Sequence, residues 1–234
     1  MKVIILAGGF GTRLGEVTDL IPKPMVSIGN KPIIVHIMEH FVSYGHTQFH
    51  LALGYKGDVI EKYFNEHSFQ WDIKLHDTGL HTATGGRAKQ VSKFLDGEKC
   101  FLTYGDGLAN VNLNSLERFH DKHKKLATVT AVHPAARFGE LELDGERVLS
   151  FKEKPQLQAG WINGGFFLLE NGFFKYIKAD SIMLEREPIE LATQDSNLYA
   201  FRHEGFWQCM DTRRDHKLLQ NLYDLGNPPW QKKI

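Results

Sequence analysis

Cysteine is scarce in this chain. Cys100 and Cys209 are the only two among 234 residues, they lie far apart, and they show no metal-ligand spacing. The sequence therefore lacks the pattern of a disulfide scaffold or a cysteine metal centre. Both thiols sit among apolar residues, so we expect them to be reduced and buried. The twelve histidines contain no HExxH string, which excludes that metalloprotease motif.

The sequence also lacks an excess of charge of one sign and lacks long apolar runs. Lys plus Arg number 28 and Asp plus Glu number 28, giving a formal net charge of +0. That balance provides no long-range attraction to nucleic acid or to an anionic membrane, so we expect neither as a partner. No apolar run approaches the length of a membrane-spanning helix, and no signal peptide precedes the first glycines. We therefore expect a soluble, cytoplasmic protein.

Strand and helix patterns alternate through the first two thirds of the sequence. Short apolar runs such as "KVIIL", "FHLAL" and "CFLTY" alternate with segments of helical periodicity such as "IIVHIMEHFV". This order predicts an α/β fold with a mostly parallel sheet flanked by helices. After Val132 the pattern changes to a hairpin with a "DGE" turn, further strands and a C-terminal helix.

The first strand leads directly into "LAGGFGTRL" (6–14). Three closely spaced glycines at the carboxyl end of a strand let backbone N–H groups approach a phosphate. Arg13 and Lys23 would add positive charge to the same group. The string is not a P-loop, and it lacks the third glycine of a dinucleotide fingerprint, because Leu14 stands there. The alternative for the glycines alone is a tight strand-to-helix turn.

Five strings together resemble the sugar-1-phosphate nucleotidyltransferase family. They are "LAGGFGTRLGEVTDLIPKPMVSIGNKPII", "TYGDG" (103–107), "FKEKP" (151–155), "NGGFF" (163–167) and "FWQCMDT" (206–212). The resemblance runs through nearly the whole chain and is strongest to the glucose-1-phosphate cytidylyltransferase branch. It implies a Rossmann-like sheet of the nucleotide-diphospho-sugar transferase type with a small sugar-binding β subregion. It also implies one domain over 1–234, with a nucleotide-binding half to about 132 and a sugar-phosphate-binding half from about 133.

One segment departs from that branch. Only "NEHSFQWDIKLH" joins Phe64 to Asp77, where cytidylyl enzymes carry a longer insert that is implicated in subunit contacts. The family resemblance still implies a homo-oligomer.

The reaction implied by the resemblance is CTP plus α-D-glucose 1-phosphate to CDP-glucose plus diphosphate. The attacking sugar phosphate is already mostly ionised near pH 7, so no general base is needed. Catalysis then consists of positioning and charge neutralisation. The implied cofactor is Mg²⁺, held by Asp106 and Asp211. The alternative for either aspartate alone is a helix cap or a turn, where aspartate is common.

The resemblance assigns roles to three groups of residues. Arg13, Lys23, Asp106 and Asp211 are the expected catalytic residues. The nucleotide is expected to contact Leu6, Ala7, Gly8, Gly9, Gly11, Thr12, Arg13, Lys23, Arg87 and Tyr104. The sugar phosphate is expected to contact Glu153, Lys154, Asn163, Gly164 and Gly165.

Two of these expectations also rest on residue chemistry. Arg87 in "TGGR" could donate a fork of hydrogen bonds to O2 and N3 of cytosine, whereas N3 of uracil carries a proton that would oppose it. Gly164 and Gly165 lie inside an apolar strand, where glycine often marks the close approach of a ligand. Glu187, in "EREPIE", could reach the active site, but we interpret it as a helix-face carboxylate.

Three other functions are weighed against this one. The same fold could use another nucleotide or another phosphorylated acceptor. A regulatory protein could bind a nucleotide sugar without turnover, although the retained charged residues argue against it. A Rossmann dehydrogenase is disfavoured by the missing third glycine.

Overall fold

A seven-stranded sheet forms the centre of the molecule. The computed structural model describes residues 1–11, 21–134, 140–152 and 160–232. The strand order is β12-β8-β11-β6-β1-β4-β5. These strands are β1 (Lys2–Leu6), β4 (Gln48–Leu53), β5 (Asp72–Asp77), β6 (Cys100–Tyr104), β8 (Ala127–Val132), β11 (Ile162–Leu169) and β12 (Leu198–His203). All neighbours are parallel except β11, which is antiparallel to both β6 and β8. The predicted mostly parallel α/β sheet is confirmed.

Helices cover both faces of this sheet because the central strands are apolar on both sides. In β1, Val3 and Ile5 pack into one core and Ile4 and Leu6 into the other. This is why the strand is continuously hydrophobic rather than alternating. The helices are α1 (Ile33–Val42), α2 (Gly57–Glu66), α3 (Thr84–Ser92), α4 (Leu113–His123), α5 (Glu187–Gln194) and α6 (Arg213–Asp224). Helices α3 and α5 pack on the face of Ile4, and the other four contribute to the opposite core.

Among the described residues, three two-stranded pairs lie outside the main sheet. They are β2 (Ser27–Ile28) with β3 (Lys31–Pro32), β7 (Gly107–Ala109) with β13 (Trp207–Cys209), and β9 (Glu140–Asp144) with β10 (Arg147–Lys152). The last pair is the predicted hairpin. Short 3-10 helices occupy Lys23–Met25 and Asn171–Tyr176. None of the helices in the described ranges is long and apolar enough to cross a membrane.

Candidate active site

A cavity of about 1210 Å³ opens beyond the carboxyl ends of β1 and β6. Ligands of open α/β sheets bind at this edge. Eleven residues expected from the sequence line it: Leu6, Ala7, Gly8, Gly9, Gly11, Lys23, Arg87, Tyr104, Asp106, Asn163 and Asp211. The expected contacts of Thr12, Arg13, Glu153 and Lys154 lie outside the described residues.

The glycine loop follows β1 along the floor of the cavity. The loop stays next to the neighbouring strands because Tyr55 N donates to Gly8 O at 3.1 Å and Gly105 N donates to Leu6 O at 3.0 Å. A Cβ on Gly9 would meet nothing within 4 Å, so its backbone faces open space. Gly11 has φ +65°, a left-handed conformation that favours glycine. The loop therefore exposes backbone to the cavity, as an anion-binding loop must.

The two aspartates are brought together by the short pair β7 and β13. Asp106 precedes β7 and Asp211 follows β13, and Cys209 is the register partner of Gly107. Met210 N also donates to Asp106 O at 2.8 Å. Residues 105 positions apart in sequence thus present their carboxylates to one point.

That point is the ammonium group of Lys23. Its Nζ lies 2.6 Å from Asp106 Oδ2 and 2.6 Å from Asp211 Oδ1. Burial lowers the pKa of Lys23, but the two carboxylates outweigh it, so the pKa lies above its ordinary value and the side chain is charged. The pair of carboxylates already holds a compact cation with oxygen ligands. Its chemistry therefore fits Mg²⁺, which takes one or two protein carboxylates together with substrate phosphates.

Both terminal nitrogens of Arg87 are hydrogen-bonded to the protein. Its Nη1 donates to Leu53 O and Thr78 Oγ1, both at 2.6 Å, and its Nη2 donates to Gly8 O at 3.0 Å and Leu80 O at 3.2 Å. All four terminal N–H groups have acceptors, so no fork is left for cytosine. The expectation that Arg87 reads the base does not agree with this geometry. The residue instead lies in the cavity wall and fixes its shape.

Packing inside the protein accounts for Gly164 and Gly165 of "NGG". A Cβ on Gly164 would lie 2.7 Å from Val132 Cγ1, and one on Gly165 would lie 2.6 Å from Tyr104 Cδ2. Gly165 also has φ +79°. Close packing within the protein therefore requires both glycines, and of "NGG" it is Asn163 that lines the cavity. Packing within the protein is therefore sufficient to explain both glycines, and their expected contact with the sugar phosphate stays a prediction.

Comparisons with known proteins agree with this geometry. The family model described as nucleotidyl transferase matches residues 2–213. The chain belongs to this family. A glucose-1-phosphate cytidylyltransferase from Salmonella typhi is 41% identical over a 254-residue alignment that covers 99% of both chains. A probable glucose-1-phosphate cytidylyltransferase from Bacillus subtilis is 38% identical, also over 99% of both. The crystal structure of HddC from Yersinia pseudotuberculosis has the same fold, with a TM-score of 0.76 at 24% identity over 95% of this chain and 99% of that one.

Sequence reasoning missed two acidic residues in the cavity wall of this nucleotidyltransferase, Glu185 and Asp215. Glu185 lines the cavity and accepts hydrogen bonds from Tyr104 Oη at 2.5 Å and from Thr84 Oγ1 at 2.6 Å. Burial, reinforced by Glu185, raises the pKa of Tyr104 far above its usual range, so the hydroxyl stays protonated and donates. Glu187, two positions later, is exposed in the first turn of α5, as expected for a helix-face carboxylate. Both glutamates occur in "EREPIE", and no local pattern distinguishes them.

The two thiols of the nucleotidyltransferase differ in position. Cys100 is buried in the sheet, as expected. Cys209 is only half-buried, contrary to the expectation, and lies in the cavity wall with Sγ 3.7 Å from Asp211 Oδ2. Burial and the neighbouring aspartates raise the pKa of Cys209 to about 12. The thiol is therefore neutral at pH 7 and is not a nucleophile.

Proposed function

We propose that the chain makes CDP-glucose and diphosphate from CTP and α-D-glucose 1-phosphate. The observation that carries the reaction type is the meeting of the glycine loop, Lys23, Asp106 and Asp211 in one cavity. The choice of CTP and glucose 1-phosphate is supported by the two relatives named above, which match over nearly their whole length.

The reaction joins a phosphate oxygen of the sugar phosphate to the α-phosphorus of CTP and breaks the bond to the departing diphosphate. The attacking oxygen is already ionised, so no residue has to remove a proton. The backbone of Gly8 to Gly11 lines the triphosphate, and Lys23 neutralises charge on the α-phosphate. Arg13, outside the described residues, is proposed to hold the departing diphosphate. Asp106 and Asp211 would hold Mg²⁺, which supplies charge stabilisation to the phosphates.

The sugar is proposed to lie on the side of the cavity formed by Asn163, Tyr104 and Glu185. Each carboxylate oxygen of Glu185 accepts one hydrogen bond from the protein and keeps a lone pair for another donor. Neutral sugar hydroxyls can donate to it, whereas a phosphate placed there would be repelled. Lys154 and Glu153, outside the described residues, complete the proposed sugar-phosphate site.

The first experiment measures diphosphate release with Mg²⁺, crossing CTP, UTP, dTTP, ATP and GTP against glucose 1-phosphate. Release with CTP alone supports the proposal. Release with another nucleotide instead would replace the base assignment while keeping the reaction. Release with none, while CTP still raises the melting temperature, would move the search to other phosphorylated acceptors.

The metal-binding role of the aspartates has its own test. Asp106→Asn and Asp211→Asn should each lower kcat by at least about 100-fold, since electrostatic stabilisation of the transition state is lost. The matched control is Asp121→Asn, an exposed carboxylate on α4 paired with Lys99. Wild-type turnover in either active-site variant would contradict the one-metal arrangement.

We also propose that the chain forms a homo-oligomer. The hairpin β9–β10 carries the exposed apolar side chains of Leu141, Val148, Leu149 and Phe151. Leu141 is the register partner of Phe151, so these two side chains share one face of the hairpin, and an exposed apolar face is typical of an interface. Light scattering should give more than one chain per particle. A monomer at assay concentration would contradict this.

A further inference from the structure

Lys23 is held rigidly between the two carboxylates. It lies in the short 3-10 helix Lys23–Met25, flanked by Pro22 and Pro24, whose rings restrict the backbone on both sides. Its side chain is 10% exposed, and those of Asp106 and Asp211 are 27% and 16% exposed. The ammonium is therefore a built part of the site rather than a surface lysine that happens to lie nearby.

The position of Nζ coincides with the place where the carboxylates converge. Each contacting oxygen lies 2.6 Å from the same nitrogen, so the two oxygens are at most about 5.2 Å apart. Mg²⁺ binds oxygens at about 2.0–2.1 Å and would need them at most about 4.2 Å apart. A metal held by these same two oxygens would compete with the ammonium for the space between them.

Charge makes the two cations incompatible there. Two carboxylates and one ammonium carry a formal charge of −1, whereas adding a divalent cation without moving Lys23 would place three positive charges within a few ångströms. Each carboxylate oxygen now shared with Lys23 would also have to serve the metal. A triphosphate removes both obstacles, since it gives Lys23 a new anionic partner and provides further oxygens for the cation.

We propose that Lys23 and the divalent cation are alternative occupants of the Asp106–Asp211 pair, so that the metal enters together with the nucleotide and Lys23 moves from the carboxylates to the phosphates. This inference rests on the metal-binding role proposed for the two aspartates. It adds that Lys23 hinders metal binding in the absence of nucleotide. Metal binding is thereby coupled to the arrival of the nucleotide.

The test measures Mn²⁺ binding to the full chain without nucleotide, by the loss of the free-ion electron paramagnetic resonance signal. Lys23→Met should bind Mn²⁺ at least about tenfold more tightly than the wild type, because the competing cation is removed. The control is Lys31→Met. It breaks another partly buried lysine–carboxylate pair, between Lys31 and Glu39, which lies away from the cavity. It should bind as the wild type does. Lys23→Gln repeats the measurement if the methionine variant does not fold.

Adding Asp106→Asn to Lys23→Met locates the effect. Loss of the gained affinity supports the inference, and retention of it would show that the metal binds elsewhere, which would overturn the metal site itself. Mn²⁺ affinity of folded Lys23→Met equal to or weaker than that of the wild type would overturn the competition. None of these measurements uses CTP or a sugar, so a wrong substrate assignment would not affect them.

Discussion

At the scale of single residues, Arg87 acts as an internal clamp. Its four acceptors lie at or just after the carboxyl ends of β1, β4 and β5, which are neighbours in the sheet. A Cβ on Gly8 would lie 2.5 Å from its guanidinium, and one on Gly54 would lie 2.3 Å away. The guanidinium thus explains two glycines and joins three strand ends to the cavity wall.

Arg87→Lys should lower the use of CTP and of UTP by the same factor. Lysine keeps the charge but cannot match four acceptors in a plane, so the glycine loop loses its support. Unsatisfied buried carbonyls should also lower the free energy of unfolding by about 1–3 kcal/mol each. The control is Arg118→Lys, an exposed residue on α4 that bonds Ser115. A loss of kcat/KM confined to CTP would instead restore the base-reading role.

At the scale of elements, the start of α6 positions Asp211. Asp215 Oδ2 accepts from Asp211 N at 3.1 Å and from Thr212 N at 2.8 Å, and Thr212 caps the helix by accepting from Asp215 N. Gln208 Nε2 reaches the other oxygen of Asp215 at 3.2 Å. This capping box fixes the turn that carries one of the two proposed metal ligands.

Thr212→Ala and Asp215→Ala should therefore separate stability from turnover. Thr212→Ala removes one cap and should cost about 1 kcal/mol of unfolding free energy with little change in kcat. Asp215→Ala also frees Asp211 N and should lower kcat by at least about tenfold through the misplaced carboxylate. Urea unfolding and steady-state kinetics on both variants give the comparison. Equal kcat in the two would mean that the cap does not position Asp211.

The strands of the sheet could be predicted from sequence, but some pairings could not. "CFLTY" and "KVIIL" are long enough to show buried-strand character, and both are confirmed. Strand β7 has only three residues, Gly107–Ala109, and carries no periodicity, so its pairing with β13 was not visible. The convergence of Asp106 and Asp211 came from the family resemblance, and only the three-dimensional pairing gives its physical cause.

At the scale of the whole molecule, the sequence motifs predicted which residues line the cavity better than they predicted the hydrogen bonds and packing contacts of those residues. Most cavity residues expected from the motifs lie in its wall, because strand ends in a parallel sheet share one edge. The partners of Arg87 and the neighbours of Gly164 and Gly165 depend on long-range packing, which no local pattern contains. Glu185 was missed for the same reason, since its role depends on Tyr104 and Thr84, 81 and 101 positions away.

Buried and half-buried histidines should make the whole fold sensitive to acid. Within the described ranges, burial is the largest cause of a lowered pKa for eight of them: His36, His40, His46, His50, His76, His120, His123 and His203. The pKa values of His40 and His50 fall to about 4. His50 Nδ1 lies 2.9 Å from His76 Nε2, so protonating both rings would place two charges in contact.

The sign of the effect follows from linkage. Each histidine is protonated more readily in the unfolded chain, near pH 6.5, than in the folded one, so its contribution to stability is present above pH 6.5 and is lost as the pH falls toward 4. A group lowered to about pH 4 should cost about 2 kcal/mol of unfolding free energy between pH 7 and pH 5. Urea unfolding at the two pH values should show this loss in the wild type. His40→Gln should lose less on acidification, because its side-chain amide can still donate to Val111 O but does not titrate. An unchanged pH slope in His40→Gln would show that His40 does not carry the acid sensitivity.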